Sequence, residues 1–262
     1  MAQSRKATIG TERGEHFDLA RGETAVELRN VCRSYGRGRN RVHALRDINE
    51  KFVAGSFTAV MGPSGSGKST LLHCAAGLDR PSRGVVELGD IELSRLKEPR
   101  LTKVRRRHTG FIFQSFNLLP ALTVRENIVL PMELDGRGVD RDRLEDLVRQ
   151  VGILELLGRR PAELSGGQQQ RVAIARALLS QPWVVFADEP TGALDLRTGR
   201  EIMFLLRRSV DELGQTMVMV THDPVAAAFA DRVMLLADGR IVDTLVSPDA
   251  VTVANRLASL EE

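Results

Sequence analysis

A nine-residue run, Gly62-Pro63-Ser64-Gly65-Ser66-Gly67-Lys68-Ser69-Thr70, directly follows the apolar stretch Phe57-Thr58-Ala59-Val60-Met61 and constrains the fold more than any other feature of the chain. Two glycines separated by four residues and followed by Lys and then Ser or Thr form the pattern of a phosphate-cradling loop. Gly62, Gly65 and Gly67 let the backbone curl at positive φ, so that successive N–H groups face one anionic centre. Lys68 adds a full positive charge where β- and γ-phosphates would sit. Ser69 offers a hydroxyl to Mg²⁺, and the helix that starts here presents its positive end. The bland alternative is a glycine-rich turn with no ligand. Leu71, Leu72, Ala75 and Ala76, ended by Gly77, instead complete the strand, loop and helix that the ligand-binding reading requires. The loop therefore reads as a nucleoside triphosphate site.

With 262 residues, 42 % of them hydrophobic, the chain can bury the core of one large domain, or of one domain with an inserted lobe. Its net charge of +3 permits contact with an anionic membrane face without demanding nucleic acid. A nucleic-acid partner is not expected, because the basic residues form no sharp stripe interleaved with aromatics, which are only 4 % of the chain. No run of about 18 apolar residues occurs, so no segment reads as a membrane-spanning helix. Cys32 and Cys74 fit no metal-ligand spacing and read as packing residues suited to a reducing compartment. Residues 1–24 mix Arg, Glu, Gly and Ser without an apolar core, so they are expected to form a flexible extension and no secretory signal.

Residues 26–52 read as two strands joined by the loop Tyr35-Gly36-Arg37-Gly38-Arg39-Asn40-Arg41. Tyr35, the only tyrosine, could stack on a nucleotide base or could be a half-buried strand residue, and position alone does not separate the two. Arg37, Arg39 and Arg41 read as a solvated loop. A turn at Pro81-Ser82-Arg83-Gly84 leads into a short strand, Val85-Val86-Glu87-Leu88-Gly89. The basic run 100–108 reads as an exposed helix face, and Gly110-Phe111-Ile112-Phe113 as a buried strand ending in Gln114. Residues 115–131 carry Phe116, Leu118, Leu119 and Leu122 and are unusually apolar for a loop. Residues 141–157 have helical spacing and belong to a separate helical lobe.

Leu164-Ser165-Gly166-Gly167-Gln168 opens a helix that continues to Gln181. A Ser-Gly-Gly run at a helix N-terminus is a second anion site by the same dipole argument, and one nucleotide cannot easily use both; the second site invites a second subunit. Trp183-Val184-Val185-Phe186-Ala187 is a buried strand closed by Asp188 and Glu189. Two acids leaving an apolar run suit a Mg²⁺ partner and a general base for water. The alternative, a helix N-cap pair, fits Pro190-Thr191 poorly. The strand Met217-Val218-Met219-Val220 ends at Thr221-His222-Asp223, and Ala237-Asp238-Gly239 reads as a hairpin turn. A lone histidine is usually a surface residue, yet His222 leaves the carboxyl end of a core strand. The phosphate loop, Gln114, Asp188 with Glu189, and His222 thus each follow an apolar run of strand length. In an open parallel α/β sheet, ligands bind beyond the carboxyl ends of the strands, and four chemical groups converge on one nucleotide there.

The phosphate loop, Leu164-Ser165-Gly166-Gly167-Gln168 and Asp188-Glu189-Pro190, in that order, resemble the ATP-binding cassette (ABC) ATPases over residues 26–242. The words Gly77-Leu78-Asp79, Phe113-Gln114-Ser115-Phe116-Asn117-Leu118-Leu119-Pro120 and Gln168-Gln169-Gln170-Arg171 further resemble the branch of macrolide exporters, lipoprotein-release systems and the cell-division ATPase. The resemblance implies an α/β fold of the P-loop NTPase kind. An ABC-type nucleotide-binding domain would cover residues 25–245, with a mainly parallel core sheet, an antiparallel β subdomain and a helical lobe within about 115–180, followed by a C-terminal tail at 246–262.

The resemblance also implies roles at matching positions. Tyr35 would stack on adenine, and residues 62–70 would hold the phosphates of ATP, with Lys68 at the reacting end. Ser69, Gln114 and Asp188 would serve Mg²⁺, Glu189 would polarise the attacking water, and His222 would bind the γ-phosphate. Ser165, Gly166, Gly167 and Gln168 would clasp the nucleotide of a second copy, and Asp195 would cross the interface between copies. A homodimer around two ATP would drive a separate membrane permease from the cytoplasmic face, docked on residues 115–131 unless that segment is a packed intradomain loop. The alternative is an ATPase that pulls on a membrane protein to control a cell-envelope process without transport. A single phosphate loop without a coiled-coil insert argues against a soluble cassette acting on ribosomes or DNA, and the absence of Asn-Lys-x-Asp argues against a GTPase. Gly192 and Ala193 depart from the Ser and Asn often found at those positions, which leaves the fine tuning of the interface open.

Overall fold

The computed structural model describes residues 20–260. Most of the expected 1–24 extension lies outside the described residues. Its last part is tied down: Gly22 N donates to Ala54 O, and Ala54 N donates to Glu23 O. Along the chain come β1 (Thr24–Tyr35), β2 (Val42–Val53), β3 (Phe57–Met61), α1 (Lys68–Ala75), β4 (Arg83–Leu88) and β5 (Ile91–Glu92). There follow α2 (Glu98–His108), β6 (Thr109–Phe113), α3 (Val124–Leu134), α4 (Arg141–Gln150) and α5 (Gly166–Leu179). The last elements are β7 (Val184–Asp188), α6 (Leu196–Leu213), β8 (Thr216–Val220), α7 (Pro224–Ala227), β9 (Arg232–Ala237), β10 (Arg240–Val246) and α8 (Ala250–Ala258).

Two sheets form. The first, β2-β1-β4-β5, is antiparallel. The second, β10-β9-β3-β8-β7-β6, is parallel throughout except for the edge pair β10 and β9. That pair turns through Asp238 and Gly239, both at positive φ, as a two-residue hairpin requires.

The central strands are buried on both faces, so they read as unbroken apolar runs and not as alternating ones. Alternation survives in what each residue touches. Phe57, Ala59, Met61, Val185, Ala187, Met217 and Met219 face one apolar cluster, and Val60, Val184, Phe186, Val218 and Val220 face the other. Each such Val, Phe or Met side chain contributes about 1.5–3 kcal/mol through burial. At the start of β7, Trp183 lies against the His108 ring, with centroids 3.9 Å apart.

The first cluster extends into the helical lobe through Ile128 of α3, Leu144 and Val148 of α4 and Val172 of α5. Part of residues 115–131 is apolar because it is the start of α3, where Val124, Ile128 and Val129 are buried. Leu119, by contrast, is 47 % exposed. The fully buried Asn127 side chain holds the loop before α3, accepting from Leu119 N and donating to the carbonyls of Leu119, Leu122 and Thr123.

Only part of the basic run is solvated. Arg100 and Lys103 are exposed. Arg105 donates to Gly77 O, Arg106 to Leu134 O, and Arg107 pairs with Asp135, because α2 packs across the end of α1 and against α3. Of the C-terminal tail expected at 246–262, the described part, up to residue 260, contains α8. Asp249 caps α8 by accepting from Thr252 N, and Val253 anchors the helix in the core.

Candidate active site

Register brings the strand ends level. Phe113 lies opposite Asp188, Asp188 opposite Val220, and Val220 opposite Val60. The four neighbouring strands β6, β7, β8 and β3 therefore deliver Gln114, Glu189, His222 and the phosphate loop to one rim of the sheet.

The phosphate loop accepts only glycine at its two ends. A Cβ at Gly62, which has φ +151°, would sit 1.9 Å from Leu236 O, and one at Gly67, φ +104°, would sit 2.3 Å from Ala44 O. Gly67 is also the N-cap of α1 and brings no side chain to the first-turn N–H groups, which stay free for a phosphate. Lys68 Nζ donates to Gly62 O and Pro63 O at 2.8 Å each, so the loop's own carbonyls hold the ammonium within it. Burial pushes the Lys68 pKa down, against the opposing pull of Glu189 and Asp188. Ser66 Oγ is buried and finds no hydrogen-bond partner among the described residues.

Asp188 closes β7, and Ser69 Oγ donates to its Oδ1 at 3.5 Å. His73 Nε2 stands 4.0 Å from its Oδ2. Burial raises the Asp188 pKa, with His73 the strongest opposing influence. Glu189 follows at φ +49°, its N–H donating to Val220 O at 2.9 Å and its Oε1 lying 2.9 Å from His222 Nδ1. The helix-cap alternative for this acid pair is excluded, because the N-cap of α6 is Asp195, which accepts from Arg197 N and Thr198 N. Those bonds, Thr198's foremost, hold the Asp195 carboxyl below its ordinary pKa. Gln114 lies against the same loop: a Cβ at Gly192 would come within 2.8 Å of Gln114 Nε2.

The Ser165 end of α5 is closed on itself. Ser165 Oγ accepts from Gln168 N, and Gln168 Oε1 accepts from Ser165 N. It adjoins the first turn of α6, where a Cβ at Gly167 would strike the Thr198 methyl. Among the described residues, no hydrogen bond joins it to the phosphate loop. Tyr35, 41 % exposed, ends β1 in the antiparallel sheet. Its hydroxyl donates to Asp79 Oδ2 at 2.6 Å, and the Arg33 guanidinium lies 4.5 Å from its ring centroid. Cys74 is buried, and burial pushes its thiol up to about 12, as a packing residue requires; Cys32 is likewise a free thiol.

Three residues beside the site do not stand out in the sequence. His73 faces Asp188. Arg176, in the apolar stretch of α5, donates to the carbonyls of Phe116 and Asn117, both at positive φ, at 2.9 and 2.6 Å. Gln170 is fully buried and donates to Pro190 O at 2.6 Å. A polar residue at an apolar helix position is the signal that could have flagged Gln170 and Arg176.

The residues fit a magnesium nucleotide. The Ser69 hydroxyl and Asp188 carboxylate are hard oxygen donors of the kind Mg²⁺ takes. Among the described residues no three His, Cys, Asp or Glu side chains gather as a protein-only cage, which accords with an ion that keeps waters and phosphate oxygens.

A doubly wound sheet with a phosphate loop, a half-buried acid pair and a helical lobe defines an ATP-binding cassette. The family model described as ABC transporter matches residues 45–192, and the chain belongs to that family. It is 45 % identical over 227 residues to the macrolide export ATP-binding/permease protein MacB of Neisseria gonorrhoeae, covering 86 % of this chain and 35 % of that protein. The chain thus spans about a third of the length of its MacB relatives. It is 45 % identical over 222 residues to the uncharacterized ABC transporter ATP-binding protein MJ0796 of Methanocaldococcus jannaschii, covering 82 % and 94 %. It is 41 % identical over 226 residues to the bacitracin export ATP-binding protein BceA of Halalkalibacterium halodurans, covering 86 % and 89 %. A dimeric, post-hydrolysis structure of MJ0796 bound to ADP and Pi superposes with a TM-score of 0.78 at 42 % identity, covering 85 % of this chain and 99 % of that one. No helix among the described residues is long and apolar enough to cross a membrane.

Proposed function

We propose that the chain is an ATPase subunit that pairs with a second copy around two ATP molecules and drives a separate membrane permease from the cytoplasmic face. The level ends of β3, β8, β7 and β6 carry this reading, since they place a phosphate cradle, an acid pair, a histidine and a glutamine on one rim. The dimeric MJ0796 structure with ADP and Pi supports it from outside the chain.

The residues divide the work by their chemistry. The 62–70 loop and the first N–H groups of α1 receive the phosphates, and Lys68 exchanges its loop carbonyls for phosphate oxygens. Ser69 and Asp188, with Gln114 alongside, would hold Mg²⁺, which when bound neutralises charge on the β- and γ-phosphates. Glu189 accepts a proton from the attacking water, oriented by its contact with His222, which also faces the γ-phosphate. Ser165, Gly166, Gly167 and Gln168 offer their helix end to the nucleotide of the partner copy, and Asp195 lies at that interface. Tyr35 presents its free ring face to the adenine. Exposed Leu119 is the foothold for the permease.

Glu189→Gln tests the chemistry. The amide oxygen can still accept from His222, so the cradle stays intact while the base is lost. Turnover falls about 10²–10⁴-fold, ATP still binds, and a nucleotide-bound dimer accumulates on gel filtration. Turnover at the wild-type rate in Glu189→Gln would remove Glu189 from the role of base.

A further inference from the structure

Gln170 is a polar side chain in the wrong place for stability alone. It is 0 % exposed, on an α5 face shared with the buried Ala173, Ile174 and Ala177. Half of its amide is used: Nε2 donates to Pro190 O at 2.6 Å, whereas Oε1 is buried without a hydrogen-bond partner among the described residues. A buried acceptor left unmet disfavours the fold, so the cost of the unmet Oε1 offsets much of what the single bond to Pro190 O contributes. Retaining an amide here therefore calls for a reason outside the core.

That reason lies at the other end of the bond. Pro190 follows Glu189, which adopts φ +49°, a left-handed conformation that a residue with a Cβ reaches only at an energetic cost, and that is further restricted by the proline ring after it. Such a conformation persists only where its surroundings over-determine it. On the upstream side, Glu189 N is fixed to Val220 O, and within the turn Gly192 N donates to Glu189 O. Downstream, proline has no N–H to offer, so its carbonyl is the only backbone group by which residue 190 can be held. The Gln170 amide takes that carbonyl.

We propose that Gln170 is a positioning residue: its amide clamps the Pro190 carbonyl and keeps Glu189 in the left-handed turn from which its carboxylate reaches His222 and the water. This rests on the reading of Glu189 as the base. Because Gln170 lies on the helix that begins at Ser165, the clamp ties the acid turn to that helix.

Gln170→Met tests it, being unbranched, of similar volume and a good helix former. The expected result is an unfolding midpoint close to wild type, since loss of the Pro190 bond is offset by removal of the unmet Oε1, with ATP affinity within twofold, KM nearly unchanged and kcat lowered at least tenfold. Added to Glu189→Gln, it lowers turnover no further, since both act through one carboxylate. A kcat within twofold of wild type overturns the clamp, provided Glu189→Gln is inactive. If Glu189→Gln itself turns over normally, the base reading falls instead, so the two failures are distinguishable. Gln170→Leu serves as a second variant. A lowered midpoint in both, with activity lost only in proportion to the unfolded fraction, overturns the proposal by making Gln170 a residue of stability alone.

Discussion

Gly192→Ala is expected to move stability and turnover in opposite directions. Gly192 does not sit in the left-handed region, so an alanine adopts its backbone without strain and leaves the Gly192 N to Glu189 O bond intact. Restricting the unfolded chain in this way stabilises by about 0.4–1 kcal/mol. For a domain of this size that raises the midpoint by about 1–4 °C. The new Cβ, however, would lie 2.8 Å from Gln114 Nε2 and 3.1 Å from its carboxamide carbon. The Gln114 amide is the far end of a flexible, exposed side chain, so it gives way, by about 0.6 Å if contact is to relax from 2.8 to 3.4 Å. A misplacement of about 1 Å costs up to about 10²-fold in rate, which sets roughly a tenfold loss for this smaller shift. Differential scanning fluorimetry and steady-state ATP hydrolysis on the same preparation read both effects. If displacement of Gln114 is the route, Gly192→Ala adds nothing to Gln114→Ala. A variant that is more stable and hydrolyses ATP at the wild-type rate would show that Gln114's seat is not set by residue 192.

Three further outcomes follow from particular contacts. Leu119→Asp, at an exposed position held by Asn127 from below, should leave basal hydrolysis nearly intact and abolish co-purification with the membrane partner; retained co-purification removes Leu119 from the docking surface. Arg176→Met removes two charge-assisted bonds to the Phe116 and Asn117 carbonyls, each about 1.5–3 kcal/mol, so amides from 115 to 119 should exchange with solvent at least tenfold faster, and unchanged protection would refute the clamp. Burial lowers the Lys68 pKa, so its charge disappears as pH rises through a value below the ordinary lysine value of 10.5. ATP affinity should therefore begin to weaken at a pH below 10.5 as Lys68 deprotonates in the wild type and stay flat in Lys68→Arg; calorimetric titrations that found the two alike up to pH 10.5 would exclude Lys68 as the titrating group.

The sheet and its rim were legible because parallel strands buried on both faces appear as short unbroken apolar runs, each followed by a residue of distinct chemistry. Gln114, Glu189 and His222 are readable in this way, one strand at a time. In the antiparallel sheet β1, β2 and β4 were legible, whereas β5 is two residues long and too short to show any pattern. The apolar character of 115–131 was visible, but not that α3 begins within it at Val124, because Thr123 and Glu126 form a capping box inside a stretch that otherwise resembles a loop. Gln170, Arg176 and His73 act through partners 20, 59 or 60, and 115 positions away, distances at which local pattern carries no information. The Asp249 cap of α8 was within reach of a sequence reading, which stopped at the last strand.

Trp183 gives the molecule a natural optical marker. It is the sole tryptophan, tilted against the His108 ring at the entry of β7, and the strand's five residues put about 16 Å between it and the acid rim. Its emission therefore reports the half-exposed end of the sheet opposite the acid rim and is blind to direct contact with nucleotide. Any spectral response to ATP would be a mechanical signal, carried along the strand from one edge of the core to the other.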